Sequence, residues 1–260
     1  MWIIFVDNVY NYEYIQWITS KEKAMIIEKK IVKGRFLNRP NRFQAYVELE
    51  GESLMVAVPN TGRCREILIP GTEVLLREGT TPTRKTPYDL IAGYKGDMLI
   101  NIDSQVPNKV VEEALLSKKI KLLRDYNVVL REKFFNSSRF DFKLQMEPHN
   151  NKELPQEYFL EVKGVTLEEK GVAMFPDAPT IRGARHLREL VEAKEQGYGA
   201  GVLFLIQMEE VKSFSPHDER DPLFGEALRY AKEHGVQLFA YNSIVTENSI
   251  TLDKEIQIIL

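Results

Sequence analysis

Apolar and polar positions follow different periods in the two parts of the chain. In the first part, apolar residues alternate with polar ones over Phe43–Leu49, and the turn at 50–52 leads into a second run, Leu54–Val58. A period of two is typical of half-buried strands. Because only turn residues separate these short runs, we predict a small barrel over residues 25–83. An OB-like barrel fits that length, and a plain β-meander is the alternative.

The segments on either side of this predicted barrel lack that alternation. Residues 1–24 are rich in aromatic side chains without a regular pattern, so we interpret them as an N-terminal extension. Residues 79–87 are rich in Thr, Pro and Gly. Since this composition is typical of loops, we predict a linker between two modules there.

From residue 84 to residue 260 the pattern indicates an α/β domain. Asn108 is the predicted N-cap of one helix, and Asn127–Phe134 is predicted to be helical as well. Two strand candidates follow, Arg139–Leu144 and Tyr158–Lys163, with a polar loop between them. We expect these two strands to pair in antiparallel fashion.

The last part of the chain predicts a strand–helix–strand unit. Thr180 is a plausible cap for a helix that precedes the continuous apolar strand Ala200–Ile206. Asp221 and Pro222 form a cap followed by proline at the first helical position. The second buried strand is Val236–Tyr241, and a right-handed crossover would make it parallel to the first.

The composition is compatible with a globular protein that needs no disulfides. Of the 260 residues 43% are hydrophobic, and the single cysteine, Cys64, excludes an internal disulfide and any cysteine-based zinc cluster. No apolar run approaches the roughly 20 residues of a membrane-spanning helix. The short apolar start lacks the features of a signal peptide. These observations favour a cytoplasmic protein without a membrane partner.

Positive charge is concentrated in two stretches, although the formal net charge is -3. Lys21–Arg42 contains eight basic and two acidic residues, and Lys118–Lys143 contains eight and three. Two such stretches could form a positive face for nucleic acid. The alternative is a pair of ordinary solvated surfaces.

The candidate chemistry is centred on Glu161 and Lys163. On a strand, residues two apart point to the same face, so these two side chains would lie together. The carboxylate would hold a hard cation, Mg²⁺ or Mn²⁺, while the lysine orients water near a phosphodiester. Asp141, between two phenylalanines on the preceding strand, would supply the second metal ligand. Glu132, on the predicted helical stretch, would add a third acidic group.

An exposed salt pair is the ordinary explanation for a Glu-x-Lys triplet. The order helix-Glu, strand-Asp, strand-Glu-x-Lys, helix is more specific, and a charge between two phenylalanines needs a reason to be there. We therefore predict a metal-dependent site of the nuclease type, with Asp141, Glu161, Lys163 and Glu132 as catalytic residues. The predicted metal ligands are Asp141 and Glu161.

Basic, amide and aromatic groups recur in loops that could bind nucleic acid. Such groups contact phosphates and stack on bases, whereas ordinary turn chemistry explains Asn, Pro and Gly but not the repeated Arg. Arg182 and His186, four residues apart, share a helical face after the 175–180 loop, where a phosphate could approach. A polar helix face with a surface histidine is the alternative for that pair. The predicted nucleic-acid-binding residues are Arg39, Arg42, Phe43, Asn60, Arg63, Arg84, Lys85, Arg182 and His186.

At these residues the sequence resembles the sugar fermentation stimulation protein A (SfsA) family. The matching stretches include FLNRPNRFQAYV, VPNTGRCREIL, NSSRFDFKL, EVKGVTL and FPDAPTIRGARHLREL. The resemblance implies an α/β (α+β overall) fold, with an N-terminal OB-like β-barrel followed by a domain resembling PD-(D/E)xK nucleases. It also implies DNA binding and a role in regulating sugar metabolism, notably of maltose. A Phe-Asp pair stands here in place of the nuclease motif's Pro-Asp, which keeps the carboxylate.

Three functional hypotheses follow. The first is a Mg²⁺- or Mn²⁺-dependent nuclease that binds DNA, single-stranded DNA or RNA with the barrel and cuts it in the second domain. The second is a non-catalytic DNA-binding regulator of sugar metabolism genes. The third is a protein-interaction module with acidic and basic faces. A homodimer is among the assemblies that the sequence allows.

Overall fold

The structure is a computed structural model that describes residues 25–79, 81, 84–147 and 154–260. The predicted N-terminal extension, residues 1–24, lies outside the described residues. The first described strand, β1 (Met25–Ile26), pairs with a strand near the C-terminus and not with the barrel that follows it.

Six strands form the barrel. Its sheet has the order β4-β3-β2-β5-β6-β7, and a parallel bridge between Ala57 and Asp89 joins β4 to β6 and closes it. Small and branched apolar side chains such as Val47, Val56 and Val74 fill the interior and are fully buried. The strands are β2 (Ile31–Asn41), β3 (Gln44–Leu49), β4 (Glu52–Ala57), β5 (Glu73–Glu78), β6 (Tyr88–Lys95) and β7 (Met98–Asn101).

The barrel is longer than the predicted range 25–83, because β6 and β7 belong to its sheet. The 79–87 segment is therefore a connection within the barrel and not a linker between domains. Arg84 of this segment donates to Asp89 Oδ1 on β6 at 2.7 Å, which attaches the segment to the barrel. The second domain begins after Asn101, about where Asp103 Oδ1 accepts a hydrogen bond from the backbone of Gln105.

The second domain is built on a seven-stranded mixed sheet with the order β1-β16-β15-β13-β10-β9-β8. Strands β10 and β13 are parallel, as are β13 and β15, and β9 is antiparallel to β10. The strands are β8 (Val128–Phe135), β9 (Ser138–Gln145), β10 (Glu157–Val165), β13 (Gly199–Ile206), β15 (Gln237–Val245) and β16 (Ser249–Glu255). The expected antiparallel and parallel pairings are both present.

Helices cover both faces of this sheet. Helix α1 (Val106–Leu116) packs on the face that carries Leu203, whereas α2 (Ile181–Glu195) and α3 (Pro222–Glu233) pack on the face that carries Phe204. All eight residues of β13 are buried, as its continuous apolar sequence predicts. A short 3-10 helix covers Lys121–Leu123.

A second, four-stranded sheet has the order β11-β12-β14-β17 and lies beside α3, whose core it extends through Phe214. Its strands are β11 (Leu167–Glu169), β12 (Val172–Phe175), β14 (Ser213–Pro216) and β17 (Gln257–Ile258). Among the described residues, no helix is both long and apolar enough to cross a membrane.

Two helix predictions were correct in their caps and one was wrong. Thr180 Oγ1 accepts from Gly183 N at 3.0 Å, and Asp221 Oδ1 accepts from Phe224 N at 3.1 Å. Asn108, by contrast, lies inside α1, which begins after Gln105 and has no side-chain cap. The predicted helix at 127–134 is also wrong, because those residues form most of the edge strand β8.

Candidate active site

Asp141 lies where β9 stops alternating regularly between the two faces of the sheet. Phe140 packs edge-on to His186 of α2, with the ring centroids 5.8 Å apart. Phe142 belongs instead to the core beside α1. Residues two apart on a regular strand share a face. Phe140 and Phe142 lie on opposite faces of the sheet, so the regular alternation of the strand is broken at Asp141.

The Asp141 carboxylate is held from two elements. Asn108 Nδ2 of α1 donates to Oδ1 at 2.7 Å, and the backbone N–H of Val162 on β10 donates to Oδ2 at 2.8 Å. The role of Asn108 was missed in the sequence, where Asn suggested a cap. The one feature that could have indicated this role was the position of Asn108 on a helix that packs against the sheet.

Glu161 and Lys163 lie together on the α2 side of β10, as the spacing predicted. Lys163 Nζ donates to Glu161 Oε1 at 2.5 Å. Val162 between them belongs to the core beside α1. Glu161 is only 4% exposed. Its second oxygen, Oε2, is buried and has no hydrogen-bond partner among the described residues.

The two carboxylates have opposite electrostatic environments. Burial raises the pKa of Asp141, and the neighbouring Glu161 carboxylate raises it further. Burial would also raise the pKa of Glu161, but Lys163 and His186 outweigh it and hold the pKa at about 2. Glu161 is therefore a fixed anion, and Asp141 is a carboxylate that a nearby cation would stabilise.

His186 and Arg182 come together as their spacing on α2 predicted, but they have different surroundings. Arg182 is exposed, and its Nε lies 3.2 Å from His186 Nε2. His186 is 2% exposed, and its Nδ1 lies 2.5 Å from Glu161 Oε1. The imidazole therefore faces the carboxylate and not a surface where a nucleic acid could bind.

Glu132 does not join the two carboxylates. Its side chain on the edge strand β8 is 57% exposed and lies 3.5 Å from Arg139. The prediction that a helix would bring it to the site fails together with that helix. Glu132 instead forms a surface ion pair with Arg139.

The carboxylate pair has the donor chemistry that a hard divalent cation requires. Carboxylate oxygens suit Mg²⁺, Mn²⁺ and Ca²⁺. The buried Glu161 Oε2 has no hydrogen-bond partner among the described residues, and the Glu161 carboxylate is close enough to Asp141 to raise its pKa. In the described part of the chain, no group of three or more Asp, Glu, His or Cys side chains is arranged around a common metal position. Two protein carboxylates fit a Mg²⁺-type site, which usually keeps several waters.

Three of the predicted nucleic-acid-binding residues are engaged inside the protein. Arg39 donates to the backbone oxygens of Arg42, Asn60, Gly62 and Arg63. The Asn60 side chain closes the same loop, with Oδ1 accepting from Gly62 N and Nδ2 donating to Ile102 O. Arg84 is paired with Asp89, as described above. Arg39 and Asn60 thus hold the 60–63 loop in shape, and other residues form its outer surface.

The other candidates are exposed. The Arg42 guanidinium carbon lies 5.8 Å from the ring centroid of Phe43, a ring that is 60% exposed. Arg63 and Lys85 are exposed as well. The sequence interpretation missed Arg65, which lines the same surface; its place in the TGRCRE stretch was the available signal.

These residues border two adjoining cavities at the junction of the domains. One, of about 640 Å³, lies on the barrel and is lined by Arg39, Arg42, Arg63 and Arg65. The other, of about 370 Å³, extends to Gly164, which follows Lys163, and to Thr180 at the start of α2. Both include Arg42 and the Thr61–Gly62 turn. We call this pair of cavities the junction groove. Asp177 fastens its two sides by accepting from Arg63 N at 2.7 Å.

The fold and the site define a two-module protein, an OB-like barrel joined to an α/β domain that carries two carboxylates and a lysine. Two family models match it. One, described as the SfsA N-terminal OB domain, covers residues 37–102, and the sugar fermentation stimulation protein RE domain covers residues 105–249. The chain belongs to the SfsA, or sugar fermentation stimulation protein, family.

Known relatives match over nearly the whole chain. The sugar fermentation stimulation protein homolog of Clostridium acetobutylicum is 61% identical over 236 residues, which cover 91% of this chain and 100% of the relative. The Clostridium perfringens homolog is 64% identical over 230 residues, or 88% and 97% of the two chains. A solved structure of Pyrococcus furiosus SfsA in complex with Ca²⁺ matches with a TM-score of 0.80 and 27% identity, over 91% of this chain and 100% of that one.

Proposed function

We propose that this protein is a DNA-binding, divalent-cation-dependent nuclease that hydrolyses phosphodiester bonds at Asp141, Glu161 and Lys163. The observation that carries the proposal is the free, buried Oε2 of Glu161 beside a second carboxylate. Leaving such an oxygen without a partner is costly in a folded protein unless a ligand uses it. The relative from Pyrococcus furiosus, solved with Ca²⁺, supports a cation at this fold.

Each residue has a distinct task in this proposal. Asp141 and Glu161 would hold the ion through their carboxylate oxygens, while Asn108 and the Val162 backbone fix the first of them. Lys163 keeps its ammonium beside Glu161 and would orient the attacking water or the scissile phosphate. A bound Mg²⁺ or Mn²⁺ supplies Lewis-acid stabilisation of the charge that develops on the phosphate.

The junction groove would carry the nucleic acid. Arg42, Arg63 and Arg65 can neutralise phosphates, and the exposed Phe43 ring offers a stacking surface for a base. The groove extends from the barrel to Gly164 of β10, which directly follows Lys163 in sequence but faces Pro107 of α1. A strand bound along it would therefore reach β10, the strand that carries Glu161 and Lys163. We also propose that this activity takes place in the cytoplasm, since the single, free Cys64 thiol agrees with a reducing compartment.

The test is cleavage of labelled single- and double-stranded DNA and RNA in Mn²⁺ or Mg²⁺, with Ca²⁺ as a comparison ion. We expect cleavage by the wild type, and loss of at least about 100-fold in Glu161→Gln and Lys163→Ala, because each removes charge from the reacting site. Glu195→Gln, the same change at the exposed far end of α2, is the matched control. Equal cleavage by Glu161→Gln and wild type would mean that a contaminant is responsible.

A non-catalytic DNA-binding regulator is the second candidate. It is favoured by the position of Arg42 and Arg63, which line the cavity on the barrel, with the exposed Phe43 ring beside Arg42. This candidate predicts that DNA affinity survives Glu161→Gln and that no substrate is cut in any metal. Control of sugar metabolism genes would belong to it and would be tested by locating bound DNA in cells.

A further inference from the structure

A chain of three side chains leads from the surface of α2 to the buried carboxylate of Glu161. Arg182 is exposed and donates from Nε to His186 Nε2 at 3.2 Å. His186 Nδ1 then reaches Glu161 Oε1 at 2.5 Å. His186 and Glu161 are both almost fully buried. Sequence reasoning assigned Arg182 and His186 to phosphate contact, and only Arg182 is exposed enough for it.

Arg182 and the ionised Glu161 carboxylate together fix the hydrogen-bond directions of His186. An arginine Nε–H can only donate, so His186 Nε2 must accept with its lone pair. The hydrogen of a neutral imidazole then lies on Nδ1, where it points at Glu161 Oε1. Phe140 covers the ring from the side at 5.8 Å and limits its rotation. His186 therefore acts as a donor with a defined tautomer.

The consequence lies in which oxygen of Glu161 stays free. Lys163 and His186 both donate to Oε1, and none of the described residues donates to Oε2. With two donors on one oxygen, the carboxylate cannot rotate without losing both bonds. Oε2 is left as the oxygen that can bind a cation. Outer partners of this type orient metal ligands in many sites.

The guanidinium group of Arg182 has further donors that His186 does not use. Its Nε is used by His186, while its two terminal amino groups make no hydrogen bond within the described residues and the side chain is exposed. Those groups have the fork geometry that binds a phosphate oxygen pair. A phosphate bound there would hold the guanidinium in place, and through it the imidazole.

We infer that His186 is a positioning residue for Glu161, and that Arg182 couples a bound phosphate to it by holding the imidazole ring through its hydrogen bond to Nε2. This inference rests on the proposed cation site, which it deepens. Neither residue needs to touch the reacting atoms. The expected signs are a change in cation affinity and in the hydrogen bonding of the imidazole, and not only in turnover.

The experiment measures Mn²⁺ affinity of the full chain by calorimetry, without DNA. We expect His186→Leu to bind Mn²⁺ at least about 10-fold more weakly than wild type, as for other outer partners of metal ligands. His186→Asn keeps an N–H near the position of Nδ1 and should lose less. His234→Leu, at an exposed histidine, is the matched control. Wild-type affinity in His186→Leu would overturn the inference.

Arg182→Lys gives a second, independent reading at an exposed position, so it should fold normally. The charge is kept, so the long-range attraction for DNA is preserved, while the planar Nε–H donor and the fork for a phosphate are lost. Nitrogen-15 spectra of the histidines should then show a changed His186 Nε2 signal, because Nε2 loses its hydrogen bond from Arg182 while Nδ1 still donates to Glu161. An unchanged His186 Nε2 signal in Arg182→Lys would refute the coupling.

The two proposals fail differently. If the wild type binds no Mn²⁺, the proposed cation site is wrong, whereas the nitrogen-15 experiment still reports on Arg182 and His186. If the wild type binds Mn²⁺ and His186→Leu binds it equally well, only the positioning role is wrong. Unfolding curves for every variant show whether a loss of affinity comes from loss of structure.

Discussion

At the residue scale, the two carboxylates of the site are held in opposite ways. Glu161 has two cationic or donor neighbours, Lys163 and His186, and its pKa is about 2. Among the described residues only Asn108 and the Val162 backbone donate to Asp141, and its pKa is raised by burial and by Glu161. Ionised Glu161 thus stabilises the fold, whereas ionised Asp141 costs stability that a bound cation would restore.

This contrast predicts opposite stability changes for two similar substitutions in the metal-free protein. Glu161→Gln should lower the unfolding free energy at neutral pH by on the order of 3 kcal/mol, the value of a pKa lowered from 4.5 to about 2. Asp141→Asn should raise it, because the charge is lost, while the new amide oxygen can accept from Val162 N and its NH2 can donate to Asn108 once the Asn108 amide turns over. Urea unfolding in the presence of a chelator measures both.

The pH dependence has a defined sign. A carboxyl with a lowered folded pKa stabilises fully above its unfolded value and loses this effect as the pH falls through its folded value. The difference between wild type and Glu161→Gln should therefore shrink between pH 4.5 and about 2. For Asp141 the sign is reversed, so the gain from Asp141→Asn should disappear at low pH. Equal effects of both substitutions would contradict the account.

At the element scale, the starts of α2 and α3 are joined by one side chain. Asp221 caps α3 through Oδ1 on Phe224 N, and its Oδ2 accepts from Thr180 N at 2.7 Å. Thr180 in turn caps α2. A single buried carboxylate therefore sets the position of the helix that carries Arg182 and His186.

Loss of this carboxylate should cost more than loss of an ordinary cap. Thr180→Ala removes one capping bond and should lower the unfolding free energy by about 1 kcal/mol. Asp221→Ala removes the side-chain acceptor of two backbone N–H groups, of Thr180 and of Phe224, so we expect about 2 kcal/mol or more. Glu195→Ala, at the exposed end of α2, is the control. If Asp221→Ala is no worse than Thr180→Ala in urea unfolding, the bridge between the helices contributes nothing.

The elements also show how far sequence reasoning extends. Buried strands such as β13 and capped helices such as α2 were predicted, because burial and capping each impose a pattern on neighbouring residues. Strand β8 was missed because it is an edge strand with exposed charges at Arg131–Lys133, so its residues do not alternate. Helix-favouring residues then suggested the wrong element, and Glu132 the wrong site.

The site itself was predictable where it depends on one strand. Glu161 and Lys163 share a face by strand geometry alone, whatever surrounds them. The contact between Glu161 and His186 joins residues 25 apart in sequence. It depends on how α2 packs on the sheet, which no local pattern encodes. For the same reason, Arg39 and Arg84 looked like surface cations in the sequence, although backbone oxygens and Asp89 engage them.

At the scale of the whole molecule, the barrel and the α/β domain share the junction groove. Exposed arginines line its barrel side, and Gly164 and Thr180 border its other end. Asp177 joins the two sides through the Arg63 backbone. Nucleic-acid affinity should therefore depend on the exposed arginines and not on those engaged internally.

Arg42→Gln and Arg63→Gln should each weaken DNA binding and reduce the slope of log affinity against log salt by about one. Arg124→Gln, an exposed arginine away from the groove, is the control. Arg84→Gln should lower stability with little effect on affinity, since its guanidinium pairs with Asp89. Fluorescence anisotropy over a salt series measures the DNA affinity of all four variants. Equal slopes for Arg42→Gln, Arg63→Gln and wild type would place the nucleic acid elsewhere.

The most direct test of the cation site is anomalous diffraction from crystals of the full chain grown with Mn²⁺. We expect one anomalous peak bonded by Asp141 and by Oε2 of Glu161, with Lys163 and His186 still on Oε1. The same peak should be missing in Glu161→Gln crystals and present in Glu195→Gln crystals. No peak between Asp141 and Glu161 in the wild type, or a peak that persists in Glu161→Gln, would contradict the account.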